Sequence, residues 1–298
     1  MTRLPARCAA AACCAVVASC APPAPPQGDY PAIALDGGDA EPEAAADVSA
    51  SGSLSADGTW IFWYETSTCV NVLGIAINSL TQTLTRVELH SEPGGIVRHT
   101  LLNCQVEQTP IVGVATTIPD AVVQSIPTRE FIALLDGDGV GASYQSQIGV
   151  ELWGVKLDDP YNDPLPTDKS DPRVYDQDGD GKPGVTLDLG HGQCTMAVIQ
   201  RAISRWTGTV QSPTRIEGTG SNDTVQVVME ASSGFCSSQY ETWNPPNTAR
   251  FALQRVDGEH GAIDLDTDAD GQVSCEEIRA YGSAPFAPRE VDNAACRD

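Results

Sequence analysis

The densest chemistry in the chain lies in one run near its C-terminus, DTDADGQVSCEE, Asp266 to Glu277. Carboxylates fall at its first, third and fifth positions (Asp266, Asp268, Asp270), a glycine at the sixth (Gly271) and an acid at the twelfth (Glu277). Alternate residues of a tight turn point to one side, so this spacing aims three carboxylates at a common point. The Gln272 carbonyl, Ser274 through a water, and both oxygens of Glu277 could complete the shell. Calcium takes about six to eight hard oxygens at roughly 2.3 to 2.6 Å, which this set supplies, and Gly271 permits the bend that brings the Gln272 carbonyl round. Val273, at the eighth position, is expected to turn inward and make a short strand-like contact. The bland alternative is a solvated acidic loop, whose like charges would repel without compensation.

In this register the run resembles the calcium loop of the EF-hand family, down to the hydrophobic residue at position eight and Ile278 directly after the acid. The resemblance covers twelve residues of 298. It implies Ca2+ as cofactor, with Asp266, Asp268, Asp270, Gln272, Ser274 and Glu277 as ligands. The preceding GEHGAIDL holds two glycines and does not read as an entering helix, whereas Cys275 to Tyr281 reads as a short exiting one. Sensor-type opening, a change in the angle between two helices, is therefore not expected. A second run, DQDGDGKPG from Asp176 to Gly184, repeats the first half of the pattern with Asp176, Asp178, Asp180 and Gly181, and the Lys182 carbonyl stands seventh. Pro183 and Leu187 take the places of the hydrophobic contact and the closing acid, so this run is similar to the incomplete DxDxDG loops of exported proteins. DGDG at residues 136–139 has two acids and reads as a turn.

The N-terminus indicates where such loops would work. Arg3 and Arg7 precede a short apolar stretch from Cys8 to Ala18, the layout of an export signal and too short for a bilayer span. Its end, Val17, Ala18, Ser19 and Cys20, resembles the lipobox of bacterial lipoproteins, which implies cleavage before Cys20 and lipidation of that cysteine. The expected location is the bacterial cell envelope, with a membrane as partner through the anchor. Residues 20–56, rich in Ala, Pro, Asp, Glu, Gly and Ser, lack any apolar period and read as a disordered tether. Six further cysteines, Cys69, Cys104, Cys194, Cys236, Cys275 and Cys296, suit three disulfides in an exported chain, although six allow 15 pairings. No CxxC or HExxH is present, and His191 with Cys194 falls short of a four-ligand zinc site.

These residues must be positioned by β structure. From residue 57 on, short β-rich runs alternate with Gly, Pro, Asn, Asp and Ser, and long helical periodicity is absent. A first unit, 57–157, is predicted to hold strands at Thr59–Glu65, Thr83–His90, Ile96–Leu102, Glu130–Leu135 and Ile148–Leu157. A linker spans 158–175. A second unit, 176–257, offers Val185–Leu189, Val198–Val210, Thr214–Glu217, Thr224–Glu230 and Arg250–Val256, and 258–298 holds the calcium loop and tail. PTREFIAL, ending at Leu134, resembles NTARFAL, ending at Leu253, which suggests a duplicated unit. The fold class expected is mainly β: two small antiparallel sandwich or barrel-like units, disulfide-stapled, with a C-terminal EF-hand-type loop. Local pairing inside each unit predicts Cys69–Cys104, Cys194–Cys236 and Cys275–Cys296.

With 40 acids against 17 bases and a formal charge of −23, the chain repels phosphate backbones and anionic headgroups, so nucleic acid and polybasic membrane docking are excluded as partners. There is no GxSxG elbow, no GxxxxGKS/T phosphate loop and no GxGxxG after a strand. The expected function is a non-enzymatic calcium-binding lipoprotein, calcium stabilising its acidic loops. The alternatives are a β-barrel or sandwich that carries a small apolar ligand or binds an envelope partner, and a hydrolase whose groups converge from distant loops. The group Trp60, Phe62, Trp63 and Tyr64 reads as strand core before it reads as a ligand cavity.

Overall fold

Alternation with period two decides which side chains of each long strand face inward, and in the computed structural model it is plain along Ile96–Asn103, whereas Gly58–Val72 is buried on both faces. The structure describes residues 55–297 apart from 73, 138, 234–235 and 237–240, so the expected signal segment, Cys20 and nearly all of the tether lie outside it. In chain order the elements are β1 (Gly58–Val72), β2 (Ile75–Glu92), β3 (Ile96–Gln108), β4 (Thr116–Thr117), α1 (Asp120–Ser125), β5 (Arg129–Asp136), β6 (Ser143–Ser146) and β7 (Gly149–Trp153). After a loop come β8 (Val185–Leu189), β9 (Cys194–Ser212), β10 (Arg215–Ala231), β11 (Thr242–Trp243), β12 (Ala249–Arg255) and α2 (Cys275–Tyr281). The fold is mainly β, and all the strand pairings are antiparallel.

Pairing runs from β10 through β12, β1, β2, β3, β5 and β6 to β9, and β9 pairs again with β10, so the sheet closes into a barrel. Beyond β6, the same edge of β9 takes β7 and then β8. Closure corrects the expected division into two units. Strands assigned to different halves share one ring, as in the run of pairs from Trp60↔Arg255 to Glu65↔Arg250. Physically, each half alone would leave two long strands with unpaired backbone, and closing the ring removes those edges. The stretch expected as a linker is also tied down. Its ends meet in a Val155↔Val174 bridge, and Arg201 Nη1 donates to the Asp163 carbonyl at 2.7 Å, so it folds back against β9.

Inward residues from all round the ring form the main core. Trp60, Phe62 and Tyr64 of β1 meet Val87, Leu101, Tyr144, Trp206 and Phe251 there. The Phe62 ring meets those of Trp206 and Phe251 edge-on, with centroids 5.7 Å apart in each case. Gly218 on β10 makes this close approach possible, since a Cβ there would fall 2.8 Å from the Phe251 ring and 2.1 Å from the Thr207 carbonyl oxygen. The two segments of the sequence repeat become β5 and β12, and Phe131 and Phe251 both face Phe62.

A second apolar cluster lies on the outside of the wall. Ile61, Trp63 and Leu84 are covered by Leu265, Val273, Ile278 and Phe286 of the C-terminal segment, with Trp63 stacked on Phe286 at 5.5 Å. Two disulfides fasten this strap, Cys104–Cys275 (Cα–Cα 5.0 Å) and Cys69–Cys296 (5.7 Å), while Cys194–Cys236 (6.4 Å) closes a local loop. The predicted pairs Cys69–Cys104 and Cys275–Cys296 are therefore corrected, and Cys194–Cys236 stands. The reason is geometric: the tail crosses the outer faces of the first three strands, so its cysteines meet strand cysteines and not one another.

Candidate metal centres

In the C-terminal loop, Asp266, Asp268 and Asp270 each present a carboxylate oxygen within 4.8 Å of the other two. The backbone explains why. Asp266 Oδ1 accepts from the Asp270 N–H at 3.0 Å and its Oδ2 from the Gly271 N–H at 2.8 Å, while Asp270 Oδ1 accepts from the Gln272 N–H at 2.8 Å. These bonds wind the chain round the first carboxylate, with Gly271 at a φ of 87° that favours glycine. Val273, 3% exposed, turns inward onto the outer apolar cluster as its position in the pattern demands, though it makes no strand pairing.

Glu277 lies at the start of α2. One of its oxygens accepts from the Thr267 N–H (2.6 Å) and hydroxyl (2.7 Å), and the other from the Ser274 N–H (2.8 Å) and hydroxyl (3.0 Å). Ser274 returns a bond from the Glu277 N–H, forming a capping box. The Ser274 N–H, then the Thr267 hydroxyl and N–H, hold the Glu277 carboxyl down at about 2, so it is a carboxylate at neutral pH. The structure thus brings the three aspartates together, while Glu277, expected to close the shell, is not grouped with them and gives both oxygens to the Thr267 and Ser274 donors. The segment before the loop contains only a single turn of 3-10 helix at Glu259–Gly261, which accords with one flanking helix.

The partial loop folds the same way. Asp176 Oδ1 accepts from the Gly179 and Asp180 N–H groups, its Oδ2 from the Gly181 N–H at 2.9 Å, and Asp180 Oδ1 from the Lys182 N–H at 2.9 Å. Asp176, Asp178 and Asp180 again present oxygens within 4.8 Å of one another. Lys182 also turns its ammonium to Asp180, 3.5 Å away. Asp178 Oδ2 accepts from the Thr186 N–H at 2.8 Å, but Oδ1 is buried with no partner. Burial, and then the neighbouring Asp180 and Asp176, push the Asp178 carboxyl up. A buried carboxylate oxygen without a donor is costly, and a cation is one group that relieves it.

His99 is fully buried, stacked on Phe131, with Nε2 3.0 Å from the Tyr144 hydroxyl and Nδ1 3.0 Å from the Val97 carbonyl oxygen. His191 is an exposed loop residue at φ 56°. No helix of the described residues is long and apolar enough to cross a membrane. No protein-family model, curated protein or solved structure matches the chain.

Proposed function

We propose that the chain is an exported calcium-binding barrel protein, held to a bacterial envelope membrane by lipid on Cys20 and working by binding and not by catalysis. The observation that carries the calcium reading is the agreement of the two loops. In each, the first aspartate accepts from the residues four and five positions on, the fifth-position aspartate accepts from the seventh residue, and three carboxylates share one small volume. Oxygen-only donor sets of this kind suit a hard divalent cation, and their flexibility suits calcium over magnesium. Each loop also stands at a joint of the fold. The C-terminal loop carries Cys275 and Val273, which fasten the strap, and the partial loop leads directly into β8. A bound cation at either place would stiffen the barrel. Three disulfides accord with an oxidising compartment.

The test is calorimetric titration of the full, chelator-stripped chain with calcium and with magnesium. Calcium is expected to bind at one or both loops and magnesium much more weakly. Glu277→Gln should weaken one site and Asp178→Asn the other. Absence of binding heat at millimolar calcium would overturn the proposal. The anchor is tested separately: the mature protein should begin at Cys20 and partition into detergent, and a Cys20→Ser form that partitions equally would remove that part.

A further inference from the structure

The barrel interior is not filled throughout. A cavity of about 290 Å³ lies between the main core, which supplies Phe62, Tyr64 and Trp206 to its wall, and a third apolar cluster, which supplies Ile118, Trp153 and Leu187. Its volume is at the lower edge of the roughly 300–1,000 Å³ of small-molecule sites. At ~30 Å³ per water it equals about ten waters, the space of a molecule with roughly ten to twelve non-hydrogen atoms.

Between those apolar ends the wall is polar. Thr66, Thr81, Gln108, Gln200 and Ser204 line the cavity, and their side chains donate to and accept from no other described residue. One ion pair stands among them. Arg129 Nη1 meets Glu151 Oε2, Arg129 Nη2 donates to Asn103 Oδ1 at 2.9 Å, and Trp153 Nε1 donates to Glu151 Oε1 at 2.5 Å. Arg129 Nε is buried and without an acceptor. Tyr64 and Trp206 stand beside this pair with ring centroids 5.4 Å apart, and burial followed by the Glu151 charge pushes the Tyr64 hydroxyl up to about 12, which keeps it protonated.

We propose that this cavity binds a small, uncharged, polyhydroxylated ligand of monosaccharide size. An apolar ligand, the class expected of a carrier from sequence, would strand the hydroxyl and amide groups of the wall without partners, a cost that each buried polar group would incur. A charged ligand would find its counter-charges already paired: Arg129 and Glu151 neutralise each other, so that separating them would leave one charge buried alone, and Glu130, also in the wall, pairs with Arg98 at 3.8 Å. A neutral polyol meets the hydroxyls and amides with donors and acceptors of its own, and it lays its C–H faces on Tyr64 and Trp206. The inference goes beyond the calcium reading and does not depend on it.

The test uses the full disulfide-bonded chain, once in saturating calcium and once in chelator. Calorimetry and tryptophan fluorescence, which report on Trp153 and Trp206 in the wall, are followed against D-glucose, D-galactose, myo-inositol and xylitol. Decanoate, L-alanine and inorganic phosphate serve as apolar, zwitterionic and anionic comparators. Saturable binding of at least one polyol is expected, tighter than that of any comparator. Gln200→Leu and Thr81→Val should each weaken it about tenfold or more, since a site built to hydrogen-bond hydroxyls discriminates strongly once a partner is lost. Ala202→Met, which pushes a side chain into the cavity from β9, should abolish it. The proposal is overturned by no polyol binding up to 10 mM, by tighter binding of a comparator, or by polyol binding that survives all three substitutions. Calcium binding without polyol binding sinks this proposal alone, and polyol binding in chelator supports it whatever the loops bind.

Discussion

Removing the Cys104–Cys275 bridge by the double change Cys104→Ser/Cys275→Ser should loosen the strap and the calcium loop together. The bridge spans 171 residues, yet Cys69–Cys296 already closes a loop of 227 around it. The unfolded chain therefore closes the shorter way round, through roughly 56 residues, which by loop entropy is worth about 4 kcal/mol at 25 °C. Measured values for native bridges commonly run from ~2 to 5 kcal/mol. For a domain of this size each kcal/mol moves the melting temperature by about 2 to 4 °C, so a fall of roughly 8 to 16 °C is expected. The assay is urea and thermal unfolding in saturating calcium, with the corresponding Cys194→Ser/Cys236→Ser variant as comparison. That variant should lose comparable stability, because its bridge spans 42 residues, but should keep its full response to calcium. Cys275 is the tenth residue of the C-terminal loop and Val273 the eighth, so only the strap variant should show a reduced calcium response. A strap variant that melts within about 1 kcal/mol of wild type, or that answers calcium unchanged, would refute the claim that the bridge holds the loop on the wall.

Two further predictions concern buried charge and pH. Glu65, fully buried, accepts from Arg250 Nε at 2.9 Å, Arg289 Nε at 2.6 Å and Gln82 Nε2 at 3.0 Å, pinning the tail to β1. Glu65→Ala should cost about 3 kcal/mol in urea unfolding, somewhat below the upper range for a fully buried pair because both arginines reach solvent; a loss under ~1 kcal/mol would contradict the pin. Burial pushes the His99 imidazole down to about 3, outweighing its bond to the Val97 carbonyl. Below the ordinary histidine value of about 6.5 the unfolded state therefore binds a proton that the folded state refuses, and stability falls as pH drops toward 3. Between pH 7 and 4.5 this amounts to about 2 to 3 kcal/mol, and His99→Gln should flatten that limb of the melting profile; an unchanged limb would show that His99 is not its source.

Much of the strand content was legible because period-two alternation survives wherever a strand separates core from solvent. Thr59–Glu65 falls inside β1 and Val198–Val210 inside β9. The strands run longer than their apolar patterns, however, because Thr66, Thr68 and Thr81 face a polar cavity and so break the alternation that would have marked them. Thr214–Glu217 and Thr224–Glu230 proved to be one strand, β10: Gly218 and Gly220 looked like punctuation but serve close packing against Phe251 and Trp206. Strand β6, SYQS, is too short and too polar to announce itself. Closure of the ring and the crossing of the tail are long-range pairings, and no local spacing encodes them, which is why two of three disulfides were assigned to the wrong partners. The DxDxDG geometry was readable because it is local. The orphaned Asp178 oxygen and the interior ion pair were not, since both arise from burial by residues distant in sequence.

Acidic loops that act as cation sites coupled to the fold must register in the thermal unfolding of the full chain with and without calcium. A ligand bound only by the native state stabilises by RT ln(1 + [L]/Kd), about 2.7 kcal/mol at 100 times Kd, which corresponds to a rise of roughly 5 to 11 °C here. Such a rise is expected with calcium, a much smaller one with magnesium, and a reduced one in an Asp266→Ala/Asp268→Ala variant. A wild-type melting curve that does not move on going from chelator to 10 mM calcium would contradict that coupling.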